Sequence, residues 1–291
     1  MIQTILKSIL KIILLTFLLY VIWTISALIA GLGESSQPEE DANAVMIILA
    51  FVCLLHVLAL SYPIIRSGWY GWRLIGSIFL IYFGVMTVLT QIETIVFLKY
   101  LTQHVSDEMI PKFILHGFLQ TLLFSPVAVI VLGKFKPPAE FVPAGPQHQV
   151  SYSRWILKFS LVGVIYVFIY FLFGAAVFQP LAGPAFQEYY GNIQPGWWIF
   201  PLQFGRGLLF GLLGWLVIRM MKGAWWEAAL AIGFILSFIM ASGLLIPNPF
   251  MSPVIRQAHL VEVASSNFLF GLITGWILRR PFEAAETVQT A

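Results

Sequence analysis

A small set of polar and ionisable side chains stands inside long apolar stretches of this sequence, and their types point to ligand binding or proton transfer. Arg206 is the most informative, because a guanidinium keeps its charge and suits carboxylate or phosphate groups. His259 and Glu262 share one face of a helix, where an imidazole and a carboxylate could act as a general base and its partner. The candidate ligand-binding residues are Arg206, Glu262, His259, Asn267, His116, Gln120 and Glu93.

The composition predicts the elements that position these residues. The chain has 291 residues, of which 59% are hydrophobic and 10% charged, with a mean hydropathy of +0.89. Soluble domains are about 25% charged, so this chain lacks the charge to cover a water-facing globule. High hydrophobicity excludes disorder, and the scarcity of charge excludes a coiled coil. The predicted fold is all-α, a polytopic integral membrane helical bundle.

Eight apolar stretches are long enough to cross a bilayer, which takes about 20 residues. They fall at 10–32, 44–64, 74–98, 112–132, 155–178, 197–218, 225–246 and 260–278. With the N-terminus inside, twelve of the sixteen basic residues lie on the inner side and three outside, and Arg206 lies within a span. This distribution predicts that both termini are cytoplasmic, in a plasma or inner membrane. The rival interpretation, a cleaved signal peptide over about the first 30 residues, requires an apolar run longer than the usual ~7–15 residues.

The two halves of the chain resemble each other at a few landmarks. Ile9-Leu10-Lys11 opens the first span and Ile156-Leu157-Lys158 the fifth, and IRSGWYGW at 65–72 is matched by IRMMKGAWW at 218–226. These matches suggest a 4+4 parallel repeat, with one half at 1–136, a cytoplasmic linker at 137–153 and a second half at 154–291. Alternatively, aromatic and basic residues recur at cytoplasmic turns because they anchor the membrane interface.

Helix geometry places most candidate residues in the outer half of the bilayer. Arg206 is thirteen residues before Arg219, so it lies about 20 Å from the inner boundary, where a charge must face protein or water. Its partner is predicted to be Glu262, Glu93 or an anionic ligand. The pairs Gly207/Gly211 and Gly271/Gly275 have GxxxG spacing, which predicts that the sixth and eighth spans pack together and bring Arg206 near Glu262.

Each candidate also has a purely structural interpretation. An Arg–Glu pair can simply fix helix register, and the Arg206 side chain can snorkel to the outer interface. His259 and Glu262 can belong to the headgroup region, and the lone His56 is interpreted as a hydrogen-bonded packing residue.

Three functions remain open on these residues. The first is a transporter or ligand-binding membrane protein with an outward-facing polar cavity around Arg206, taking an anionic small molecule or lipid. The second is a membrane-embedded enzyme acting on lipid or a lipid-linked substrate, with Glu262 or Glu93 as the base. The third is a non-catalytic scaffold or partner subunit. Beyond the lipid bilayer, no nucleic acid, cofactor or metal is predicted, because Walker A, HExxH, GxSxG and Cys/His zinc spacings do not occur.

Overall fold

The computed structural model describes residues 2–32, 42–101, 106–138, 151–191 and 196–279. Within these ranges every regular element is helical, so the predicted all-α fold is confirmed. Most of the predicted linker at 137–153 lies outside the described residues. The α-helices are α1 (Ile2–Ile29), α2 (Ala42–Ile65), α3 (Gly71–Phe83), α4 (Leu89–Leu101), α5 (Met109–Val131), α6 (Tyr152–Phe173), α7 (Gln179–Ala182), α8 (Pro184–Tyr190), α9 (Ile199–Met220), α10 (Trp225–Ala241) and α11 (Pro253–Arg279).

Eight helical segments of the described chain are long and apolar enough to cross a membrane, as the sequence predicts. They are span 1 (Ile5–Ile29), span 2 (Ala42–Ile65), span 3 (Gly71–Phe97), span 4 (Met109–Val131), span 5 (Tyr152–Ala182), span 6 (Ile199–Met220), span 7 (Trp225–Leu245) and span 8 (Pro253–Leu278). Span 8 begins seven residues before its predicted start at 260. Its first turns are polar and therefore do not belong to an apolar run in the sequence. Pro253 suits the first turn of a helix. The chain is a multi-pass membrane protein.

Three spans depart locally from α geometry. Span 3 contains a π-helical turn at Gly84–Val88 and span 5 another at Gly174–Phe178. Span 7 ends in a 3₁₀ turn at Ser242–Leu245. Such irregular turns inside long helices are frequent at functional sites and hinges.

Glycines set the closest approaches between spans, and they correct one prediction. A Cβ added at Gly207 would lie 2.9 Å from the Cα of Gly163, so this glycine packs span 6 against span 5. Gly271 and Gly275 instead lie against Gly233 and Ala229 of span 7. Spans 6 and 8 do contact each other, as predicted, through Gly214 against Thr274 and Phe210 against Phe270. The two GxxxG pairs do not make that contact, because each pair meets a different helix that also offers a small residue.

The contacts of spans 1–4 and those of spans 5–8 follow a similar pattern. Span 1 packs on spans 2 and 4, and span 5 packs on spans 6 and 8. Span 3 packs on span 4 as span 7 does on span 8, while span 2 contacts span 7 and span 3 contacts span 6. The halves therefore interlock through spans 2, 3, 6 and 7.

Two turns meet at one end of the bundle, here called the basic end because its turns hold Arg66, Lys134 and Lys222. The amide of Gly68 donates to the carbonyl of Met220 at 2.7 Å, and the amide of Lys222 donates to the carbonyl of Arg66 at 2.9 Å. Arg66 and Glu227 form an ion pair there at 2.6 Å. The opposite end, formed by α8 and residues 246–252, is called the distal end.

Candidate functional site

Arg206 lies within span 6, and 3% of its side chain is exposed. Its Nη1 atom is 3.0 Å from Oε2 of Glu93 on span 3 and donates to Oε1 of Gln203, 2.7 Å away. The Nη2 atom donates to the carbonyl of Leu89 at 3.1 Å. Arg206 therefore binds acceptors from spans 3 and 6, and its partner is Glu93 rather than Glu262.

The two members of this ion pair differ in exposure. Glu93 is 32% exposed, and Gln203 donates to its second carboxylate oxygen at 3.4 Å. The Tyr166 ring centroid lies 5.7 Å from the guanidinium carbon of Arg206, within cation–π range. The Nε atom of Arg206 is buried and has no acceptor in the described part of the chain. The carboxylate is thus the accessible side of the pair, and one guanidinium donor is left unused.

The local structure of span 3 explains why Glu93 reaches Arg206. A Cβ on Gly84 would lie 2.7 Å from Cδ1 of Leu213, so the missing side chain lets span 3 approach span 6. The π-helical turn begins at this glycine, and Leu89, which accepts a hydrogen bond from Arg206, directly follows it. The site therefore lies next to an irregular turn, as many functional sites in helical proteins do.

A second cluster, the His259 cluster, lies at the distal end and comprises Phe178, Tyr190, His259 and Glu262. The Nε2 atom of His259 is 2.7 Å from the Tyr190 hydroxyl, and Nδ1 is 3.3 Å from Oε2 of Glu262. The Phe178 ring stacks on the imidazole with centroids 4.0 Å apart. Because Tyr190 ends α8 and Phe178 ends the second π-helical turn, the cluster fastens two irregular segments of the chain to span 8.

The tyrosines of α8 remain protonated at neutral pH. Burial raises the pKa of Tyr190, and the negative charges of Glu93 and Glu262 raise it further. Burial also raises the pKa of Tyr189 to about 12, and its hydroxyl donates to the carbonyl of Phe250. Both tyrosines therefore act as neutral hydroxyls in the contacts of α8.

A third group, the His56 network, joins spans 2, 3, 4 and 7. His56 is 2.8 Å from the Tyr82 hydroxyl through Nδ1 and 2.8 Å from the Ser242 hydroxyl through Nε2. Gln120 donates to the Tyr82 hydroxyl at 2.6 Å. Span 1 also contacts this region. The Nδ1 atom of His116 is 3.0 Å from the Ser26 hydroxyl, and the Trp23 ring lies near the imidazoles of His56 and His116.

The structure therefore distributes six of the seven candidate residues over three places and leaves Asn267 apart from them. Arg206 and Glu93 pair with each other, and His259 and Glu262 form the distal cluster. His116 and Gln120, although in the predicted outer half, belong to the region around His56. Asn267 is buried in span 8, and at five residues beyond Glu262 its side chain is turned about 140° around the helix.

Two cavities lie close to these groups, and Arg206 lines neither of them. The larger, of about 620 Å³, is apolar and lies between spans 5 and 6, lined by Val164, Val167, Phe168, Phe171, Phe200, Pro201 and Phe204. The smaller, of about 220 Å³, lies beside His56, lined by Trp23, His56, Met86, Thr90, Ile239, Met240, Gly243 and Leu244. Arg206 is thus held in a closed ion pair rather than in the wall of an open cavity.

Several of the residues that build these groups were not predicted from the sequence. Gln203 could have been predicted, because a residue three positions before Arg206 shares its helix face. Tyr82, Ser242 and Tyr190 carried no such signal, because their partners come from other helices. Among the described residues, no three His, Cys, Asp or Glu side chains form a group that could hold a metal ion.

No protein-family model, curated protein or solved structure matches this chain.

Proposed function

We propose that the protein is a transporter or ligand-binding membrane protein in which Arg206 receives an anionic group of a small molecule or lipid. The observation that carries this proposal is the asymmetric ion pair: a buried guanidinium with an unused Nε donor, facing a carboxylate that is 32% exposed. A buried cation needs a counterion, so an incoming anion has to take the place of Glu93. A carboxylate or phosphate can also bond Nε, which Glu93 leaves free, and charge-assisted bonds of this kind are strong.

The position of the pair between the two halves supports a transport role. Glu93 belongs to the first half and Arg206 to the second, and their spans are in contact. We infer a 4+4 parallel repeat from the corresponding neighbours of corresponding spans and from the reciprocal hydrogen bonds between the turns at the basic end. In transporters built from repeats, substrate sites lie at the repeat interface.

The proposal includes an orientation. The turns at the basic end carry Arg66, Lys134, Arg219 and Lys222, whereas Lys112 and Arg256 lie toward the distal end. This excess supports a cytoplasmic basic end, with both termini inside a plasma or inner membrane. The anion then reaches Arg206 from the outside, past Glu93.

The experiment compares ligand-induced stabilisation of purified wild type and Arg206→Gln. Inorganic phosphate, succinate and phosphatidylglycerol serve as probes, and small molecules that co-purify are identified by mass spectrometry. We expect at least one probe to raise the melting temperature of wild type and of an Arg66→Gln control, but not of Arg206→Gln. An equal shift in Arg206→Gln, or identical co-purifying molecules, would refute an anion site at Arg206.

A membrane-embedded enzyme is a second candidate, favoured by the contact between Glu262 and His259. A carboxylate that orients an imidazole is a common arrangement for a general base. The raised pKa of Tyr190 argues against a tyrosinate nucleophile in this cluster, which leaves the base role to the Glu–His pair. Glu262→Gln would then abolish turnover of a lipid substrate, whereas a transporter would keep its Arg206-dependent ligand response.

A further inference from the structure

The cavity of about 220 Å³ beside His56 takes no part in the anion site at Arg206. It is lined by spans 1, 2, 3 and 7, which contribute residues such as Trp23, His56, Thr90 and Met240. None of its eight lining residues is charged, apart from any protonation of His56. The lining therefore suits a neutral molecule.

Irregular helical turns meet across this cavity. Met86 belongs to the π-helical turn of span 3, and Gly243 and Leu244 belong to the 3₁₀ turn of span 7. Both kinds of turn are found at functional sites and hinges more often than regular helix is. Two of them in the lining of one cavity favour a role beyond packing.

The wall at His56 is held in place by the protein itself. His56 is buried, and both of its ring nitrogens have partners, the hydroxyls of Tyr82 and Ser242. Tyr82 is held in turn by Gln120. A connected set of buried hydrogen bonds is rigid, so the imidazole presents a preformed surface to the cavity.

The chemistry of the lining favours an aromatic ligand. Trp23 and His56 offer rings, which stack on or meet other rings edge to face. Met86 and Met240 offer thioethers, which make favourable contacts with aromatic rings. Thr90 supplies a hydroxyl that can bond a polar substituent. A cavity of about 150 Å³ accommodates benzene, so this cavity has room for one ring with a small substituent.

We propose that the cavity beside His56 binds a neutral single-ring aromatic molecule that carries a hydroxyl group. The ring lies among Trp23, His56 and the two methionines, and the hydroxyl bonds Thr90. Thr90 and Glu93 are one turn apart on span 3, so the aromatic site adjoins the Arg206 pair without sharing its residues. This proposal does not depend on Arg206 binding an anion.

Gly243 offers a place to add bulk at the cavity lining. It is one of the lining residues and is exposed, and a Cβ there would meet no atom within 4 Å, so Gly243→Leu enlarges the side chain at the lining without a clash. Gly76 is the matched control, because a Cβ there also meets no atom within 4 Å and Gly76 lies on span 3 away from the cavity lining. Met240→Leu is a second test variant, which removes a thioether at nearly constant volume. It tests the site even if Gly243→Leu does not fold.

Binding of phenol is measured by saturation-transfer NMR on the full chain in nanodiscs, with cyclohexanol as the aliphatic probe of similar size. Subtracting the signal of empty nanodiscs removes partitioning into lipid. We expect phenol to bind wild type and Gly76→Leu alike, at least tenfold more weakly to Gly243→Leu, and a few-fold more weakly to Met240→Leu. Equal phenol binding by wild type and Gly243→Leu would overturn the proposal, as would equal binding of cyclohexanol and phenol.

Arg206→Gln separates this proposal from the anion site. Its phenol binding should equal that of wild type even where its response to anions is lost. Loss of phenol binding in Arg206→Gln but not in Gly243→Leu would overturn the assignment to this cavity.

Discussion

The Arg206–Glu93 pair predicts an unequal response to the loss of either charge. Glu93→Gln leaves a guanidinium that is 3% exposed without a counterion, and breaking a buried pair in this way costs about 3–5 kcal/mol. The bonds from Arg206 to Gln203 and to the Leu89 carbonyl remain, so we expect the lower end of that range. Arg206→Met leaves Glu93, which can turn to water, and should cost about 1.5–3 kcal/mol for the lost charged hydrogen bonds.

The double variant Glu93→Gln/Arg206→Met tests the coupling directly. Because methionine removes the stranded charge, the double variant should be about as stable as Arg206→Met alone, so its loss should fall well short of the sum of the two single losses. The free energy of unfolding is measured in detergent by denaturant titration, with the fluorescence of the ten tryptophans as the signal. If the two single losses add within about 0.5 kcal/mol, the residues are not coupled and the reasoning fails. A smaller loss in Glu93→Gln than in Arg206→Met would refute it equally.

Two further predictions concern packing and pH. Gly275→Ala should destabilise the protein by about 1–3 kcal/mol, because its Cβ would overlap the Ala229 backbone. Gly205→Ala, whose Cβ meets no atom within 4 Å, should be neutral or stabilising in the same unfolding assay. The pKa of Tyr189 is raised to about 12 from an ordinary value of about 10, so the folded state disfavours its ionised form. Attachment of α8 should be constant below about pH 10 and weaken between 10 and 12, which limited proteolysis of α8 tests. Tyr189→Phe should reduce that pH dependence, and Tyr190, whose pKa is also raised, should account for the remainder.

The fold could be predicted from the sequence because membrane helices are defined within single segments. An apolar run of sufficient length is a span whatever surrounds it. The exception, the start of span 8, arose because its first turns are polar. The glycine pairs could also be recognised in the sequence, but the helix that each pair meets could not. Small residues such as Gly163 and Gly233 occur in several apolar runs, and the sequence does not indicate which of them is the partner.

The site was predictable only as far as helix periodicity reaches. The contact of His259 with Glu262 and the shared face of Gln203 and Arg206 follow from three-residue spacing. The partner of Arg206 depends instead on how close spans 3 and 6 approach, which the missing side chain of Gly84 decides. Similarly, His56 and Ser242 are 186 residues apart, and no local pattern connects them.

The paired turns at the basic end connect spans 2 and 3 to spans 6 and 7. The backbone bonds between Gly68 and Met220 and between Lys222 and Arg66 tie the halves together there, and the Arg66–Glu227 ion pair adds a third tie. Parting the halves at that end has to break all three at once. Separating the same spans at the level of Glu93 breaks the Arg206 pair, which an anion would replace under the proposed function. We therefore expect the basic end to be the stiffer end of the bundle.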